Sequence, residues 1–144
     1  MIGLDTTLLV EAEVADSPKH DAARAFILQH IASAEGRAFA LAPQVLTEFI
    51  HIVSDPKRFE RPLTVAQAVK RAEFWWSAQE VGRIVPGIEA TTLFLEWMGV
   101  HNLGRKRILD TYLAATYSSA GIRRIASSNG RDFSVFGVFE VLEP

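Results

Sequence analysis

The sequence has no cysteine among its 144 residues. That excludes disulfides and thiolate metal sites, and it is compatible with a reducing cytoplasm. It also lacks a strong charge of either sign, since 15 Lys and Arg against 17 Asp and Glu leave a formal net charge of −2. A nearly neutral chain has no global field with which to attract a polyanion, so any nucleic-acid binding must come from a local basic patch. No apolar run approaches the roughly 18 residues that a membrane span requires. Even the opening Ile2-Gly3-Leu4 is broken at once by Asp5. Repeats, linkers and low-complexity stretches are missing too. The expectation is a soluble, unexported, cytoplasmic protein without membrane contact, folded as a single domain over residues 1–144 around one core.

What the sequence does have is alternation. Ile2 and Leu4 make a very short apolar strand. Ala23, Phe26, Ile27, His30, Ile31 and Ala34 recur at helical spacing, with Ser17-Pro18 as the predicted cap and first turn. Residues 38–41 form a short apolar run, and Val45, Leu46, Phe49, Ile50 and Val53 trace a second helix that Asp55-Pro56 stops. A charged loop leads to a helix capped by Thr64 and lined by Val65, Val69, Ala72 and Trp76. Residues 83–85 read as a strand, 90–98 as a helix, 101–107 as a polar and basic loop, and 108–120 as a helix stopped by Gly121. Residues 124–127 and 138–142 read as the last strands, with a turn over 128–133 between them. Strands alternating with helices predict an α/β fold with a mostly parallel sheet covered on both faces. Trp75, Trp76 and Trp97 read as core or interface groups rather than a stacking platform.

Five acids or amides stand where this pattern makes them conspicuous. Asp5 follows the first strand directly, and ligands bind at that edge of open α/β sheets. It is equally placed to cap the next helix. Glu48 lies beside the apolar stripe of its helix, where an unpaired charge is costly. Asp110 lies in the first turn of a helix dense with small residues, where it either favours the helix dipole or faces a site. Asn129 and Asp132 follow a strand as Asp5 does, so a parallel sheet delivers them to the same edge. Oxygen ligands with no His or Cys partner suit Mg2+ or Mn2+. The four histidines, His20, His30, His51 and His101, show no pairing at metal-ligand spacing.

The segments Ile2-Gly3-Leu4-Asp5-Thr6-Thr7, Leu46-Thr47-Glu48-Phe49, Ile108-Leu109-Asp110-Thr111 and Ser127-Ser128-Asn129-Gly130-Arg131-Asp132-Phe133, taken in order, resemble the four motifs of PIN-domain ribonucleases of the VapC toxin family. The resemblance extends over essentially the whole chain. It implies a three-layer α/β/α domain with about five short strands. It also implies a catalytic set of Asp5, Glu48, Asp110 and Asn129, with Mg2+ or Mn2+ on Asp5, Glu48 and Asp110. Many members carry a fourth acid where this chain has Asn129, so one metal or two, and the role of Asp132, stay open. Thr6 and Ser128 would hydrogen-bond the ligating carboxylates or their waters.

The reaction implied is metal-assisted hydrolysis of single-stranded or loop RNA, tRNA being a known family target, leaving a 5′-phosphate and a 3′-hydroxyl. An acidic site repels RNA, so Arg105, Lys106 and Arg107 are the first candidates to hold it, with Lys57, Arg58 and Arg61 second. The resemblance further implies a homodimer and a VapB-type antitoxin whose C-terminal segment crosses the groove. Two other readings remain: a PIN fold that binds RNA with little or no turnover, and a phosphotransfer protein. The latter lacks the expected acidic doublet at Asp5-Thr6-Thr7.

Overall fold

Five strands of only three residues each carry the fold, described over all of Met1–Pro144 by a computed structural model. Their order is β3 (Val81–Arg83), β2 (Phe39–Leu41), β1 (Ile2–Leu4), β4 (Arg124–Ala126), β5 (Glu140–Leu142). Every neighbouring pair is parallel. The chain therefore grows outward from β1 in one direction, then crosses back to add β4 and β5 on the other side. β1 is thus the topological switch point, where loops diverge and a crevice opens beyond the strand's C-terminal end.

Helices fill every connection: α1 (Thr6–Glu13), α2 (His20–Ser33), α3 (Pro43–Val53), α4 (Val65–Ser77), α5 (Ile88–Val100), α6 (Ile108–Ser119) and the short α7 (Arg131–Ser134). α1 packs on α2 and α3, and α3 on α4, whereas α6 packs on α5 and α7. With every strand pair parallel, crossovers of the usual right hand put these two groups on opposite faces of the sheet, the α/β/α layering. Twenty-nine buried residues from strands and helices form one core cluster. Trp75 and Trp97 are among them, as their apolar character predicts, and Trp76 is half-buried beneath the Arg83 guanidinium. No helix is long and apolar enough to cross a membrane.

Gly3 is the residue that lets α6 close on the sheet. A β-carbon there would lie 2.8 Å from two ring carbons of Tyr117. The Tyr117 hydroxyl lies 2.7 Å from the Leu4 carbonyl and 3.1 Å from that of Ala40. A fully buried phenol on those two carbonyls ties α6 to β1 and β2, and burial pushes its pKa up.

The structure departs from the predicted boundaries at several places, and β5 begins at Glu140 rather than at residue 138. α2 begins at His20 without a side-chain cap; Ser17 and Pro18 form the preceding turns, and the Ser17 carbonyl accepts the His20 N–H. β3 starts two residues early, because Val81 is the group that enters the core, whereas Val85 is 69% exposed. The basic loop ends as a 3-10 turn, Arg105–Arg107, that runs directly into α6. The expected turn over 128–133 closes into α7 instead. Carbonyls of Asn129 and Gly130 accept N–H groups three and four residues on, and buried Phe133 anchors it.

Candidate active site

Asp5 leaves β1 with its N–H bonded to the Ala126 carbonyl of β4, so the strand pairing itself aims its side chain. It is at once the N-cap of α1 and the centre of a polar cluster. Oδ1 accepts the Thr6 N–H at 2.7 Å. Oδ2 accepts from the Thr7 hydroxyl at 2.8 Å and the Ser127 hydroxyl at 2.6 Å. Ser127 in turn accepts the Asn129 N–H at 2.9 Å, and Thr7 accepts the Ser128 N–H at 3.2 Å. These bonds stitch the start of α1 to the loop after β4. The residue is only 5% exposed, and burial raises its carboxyl pKa against the opposing hydrogen bonds from Ser127, Thr7 and Thr6.

Glu48 reaches the cluster from α3. Its Oε2 accepts from the Thr6 hydroxyl at 2.8 Å, so Thr6 links the second acid to the start of α1. Asp110 comes from the first turn of α6. Burial first, and then the charges of Asp5 and Asp132, push its carboxyl from 3.8 to about 6; Arg107 opposes that rise and Glu48 adds to it. Four carboxylates from β1, α3, α6 and α7 therefore share one region, although more than a hundred residues separate the first from the last.

The remaining predicted residues divide. Asp132 lies near Asp110 and accepts from Arg107, with Nη1 2.9 Å from Oδ1. Asn129 is exposed and joins the network through its backbone N–H and C=O alone. Ser128 turns its hydroxyl to Glu11 Oε2 at 2.6 Å rather than to Asp5. Arg105 and Lys106 are exposed, while Arg107 is folded back against Asp110 and Asp132. Lys57 is exposed, and Arg58 and Arg61 make loose pairs with Asp55 at 3.7 Å and Asp16 at 3.5 Å. Thr7, Ser127 and Glu11 were not singled out in the sequence. The signal for the first two was their position, hydroxyls beside an acid that ends a strand. Glu11 carried none, because its partner is distant in sequence.

Two crevices flank the acids. One, of about 240 Å3, lies between α3 and α6 and contains Glu48, His51, Asp110 and Tyr112. A wider one, of about 650 Å3, runs from Thr7 and Glu11 to Arg58, Phe59 and Arg61. A separate apolar cleft of about 220 Å3, with Ile27, Ile31 and Trp75 in its wall, shares no residue with either.

In the arrangement seen, no three His, Asp or Glu side chains converge into a closed ligand cage. The chemistry of the donor set nevertheless fits a hard divalent cation. It is all oxygen and anionic, and such an ion relieves the repulsion that adds to burial in raising Asp110.

No family model matches the sequence. Over 152 aligned positions, spanning 100% of this chain and 97% of the relative, it is 28% identical to ribonuclease VapC24 of Mycobacterium tuberculosis, in two strains alike. Its fold is similar to the crystal structure of M. tuberculosis VapC20, a sarcin-ricin loop cleaving toxin, with a TM-score of 0.75, 22% identity and 100% of both chains covered. It is also similar to a chain in VapBC2 from Rickettsia felis bound to a promoter DNA fragment, with a TM-score of 0.69 and 16% identity over 100% of this chain and 99% of that one. Over its full length the chain is thus similar in sequence to a VapC ribonuclease, and its fold is similar to those of VapC toxins of known structure.

Proposed function

We propose that the protein is the toxin component of a VapBC-type toxin-antitoxin pair, a Mg2+- or Mn2+-dependent endoribonuclease that hydrolyses single-stranded or loop RNA, with tRNA a candidate target. The observation that carries this reading is the gathering of Asp5, Glu48 and Asp110 at the switch point of the sheet, close enough that Asp110 responds to the other charges. The likeness to ribonuclease VapC24 supports the activity, and the VapBC complexes among the structural relatives support a VapB-type partner. A homodimer and a cytoplasmic location belong to the same proposal.

Asp5, Glu48 and Asp110 would hold the cation, which when bound supplies Lewis-acid stabilisation of phosphate charge and a water of lowered pKa. Everything else is done by the chain. Ser127, Thr7 and the Thr6 N–H fix both oxygens of Asp5, and the Thr6 hydroxyl fixes Glu48, so the two acids are held before substrate arrives. Water attacks phosphorus, the bond to the 3′-oxygen breaks, and no residue of the protein is covalently modified. Arg105 and Lys106, exposed just ahead of Asp110, are placed to contact backbone phosphates. Arg58 and Arg61 line the wider crevice, and their exposed ion pairs are too weak to withhold them from RNA.

The test is RNA cleavage by purified protein with Mg2+ or Mn2+, compared with Asp5→Asn. This substitution removes a ligand charge at constant shape, so cleavage should fall by about a hundredfold or more. The metal-free variant should melt no lower than wild type, since it loses a buried carboxylate. Full activity of Asp5→Asn would refute the metal-nuclease reading. A folded wild type that binds RNA and never cuts it would be a binding module.

A further inference from the structure

The basic run 105–107 splits in two on folding. Arg105 and Lys106 face solvent, but the Arg107 side chain is only 23% exposed and turns back over the start of α6. Its guanidinium sits between two acids and grips them unequally. Nη1 lies 2.9 Å from Asp132 Oδ1, and Nη2 donates to the Asp132 main-chain carbonyl. Toward Asp110 the contact is loose, with Nε 3.8 Å from Oδ2. That Nε is buried and has no hydrogen-bond acceptor. A buried donor without a partner is costly, so the structure holds it there against a local preference.

We propose that Arg107 is the internal counter-cation of the acid cluster: a positioning residue that stays anchored on Asp132, shares Asp110 with the catalytic cation, and so weakens that cation's binding. The inference rests on the metal-nuclease reading of the site. Asp5, Glu48, Asp110 and Asp132 are mutually repulsive when ionised, and Arg107 is the cation that contacts two of them. It makes the cluster tolerable without a metal. A divalent ion held by Asp110 would meet the same positive charge, which opposes it. The geometry shows which contact yields. Two bonds hold the guanidinium to Asp132, whereas the Asp110 contact already lies beyond hydrogen-bond length.

A merely structural ion pair makes the opposite prediction. If Arg107 only fastened α7 to α6, removing it would loosen the site and weaken cation binding. The counter-cation reading requires binding to tighten while the metal-free protein becomes less stable.

The experiment measures melting temperature across a Mn2+ series for wild type, Arg107→Gln and Arg107→Lys, and fits the Mn2+ Kd from the ligand-induced shift. This works even for a variant that is marginal without metal. Arg107→Gln removes the charge and keeps a polar side chain, one too short to reach the Asp132 carbonyl that Nη2 holds. Its metal-free melting temperature should fall, and its Kd should drop by about tenfold. Arg107→Lys keeps the charge without the fork, and its Kd should stay within about twofold of wild type. A Kd for Arg107→Gln equal to or weaker than that of wild type overturns the inference and leaves the metal reading intact. No Mn2+ response in any of the three proteins overturns both.

Discussion

At the scale of single residues, Asp5 shows that a capping role and a site role are not alternatives. The Thr6 N–H that Asp5 caps is one of the bonds that fix its carboxylate. Ser127 has the same double character, donating to Asp5 and accepting from Asn129. Ser127→Ala should leave a backbone N–H without an acceptor and cost about 1–3 kcal/mol in denaturant unfolding. It should also slow RNA cleavage by about 10–100-fold by loosening a ligating carboxylate. A stability loss with an unchanged cleavage rate would confine Ser127 to the loop. Asp110 supplies a second prediction, with a definite sign. Its folded pKa of about 6 lies above its ordinary 3.8, so between these values the metal-free folded state binds more protons than the unfolded chain. Stability must then fall as pH rises through that window. Two pKa units correspond to about 3 kcal/mol at most, and solvent screening of the partly exposed Asp110 reduces that. Melting temperatures should decline from about pH 4 to about pH 6 without metal, and Mg2+ at saturation should reverse the trend, because the cation competes with protons. A metal-free profile that rises through this window would contradict the coupling of the acids.

Among elements, the contact between β1 and α6 decides whether the site assembles at all. Asp5 sits at the end of one and Asp110 at the start of the other. Tyr117, two turns along α6 from Asp110, packs its ring on Gly3 and its hydroxyl on the carbonyls of Leu4 in β1 and Ala40 in β2. Gly3→Ala would place a methyl 2.8 Å from a buried, hydrogen-bonded ring that has no free end to swing away. We expect a loss of about 1–3 kcal/mol, as for other overpacked cores, measured as a lower denaturant midpoint. Cleavage should fall with it even in conditions where the protein remains folded, since α6 must shift to admit the methyl. Retained activity in a destabilised Gly3→Ala would show that the site tolerates that shift. The parallel pairing serves the same assembly. Only a parallel sheet delivers the ends of β1 and β4 to one edge, where Thr7 meets Ser127 and Ser128.

For the molecule as a whole, the question is how a chain of net charge −2 with four clustered acids attracts RNA. Its basic groups must act locally, and the fold sorts them. Arg107 is drawn into the acids, which leaves Arg105 and Lys106 of that run to meet a phosphate backbone. Replacing both by Ala in the Asp5→Asn background should weaken RNA binding and lower its salt slope, by about 0.7 for each phosphate no longer neutralised. Fluorescence titrations at several salt concentrations would measure it. Identical slopes would return the task to Lys57, Arg58 and Arg61, two of which line the wider crevice.

The sequence by itself determined the elements and their alternation, because apolar spacing and capping chemistry are local. It also made Asp5, Glu48 and Asp110 stand out, because each is a charge set beside or within an apolar pattern. Where it misjudged, the cause was non-local. Residues 84–85 have strand character, but burial over β2 chose Val81 instead. Residues 128–133 read as a turn, and the packing of Phe133 made part of them a helix. Only the tertiary structure decided which polar groups meet. Ser127 finds Asp5 across 122 positions, Ser128 finds Glu11 across 117, and Arg107 leaves its basic neighbours for Asp132. Charge and hydroxyl content can be read along a chain. Which partner each group will have depends on strand register and crossover hand, and those are set by the burial of the whole core at once.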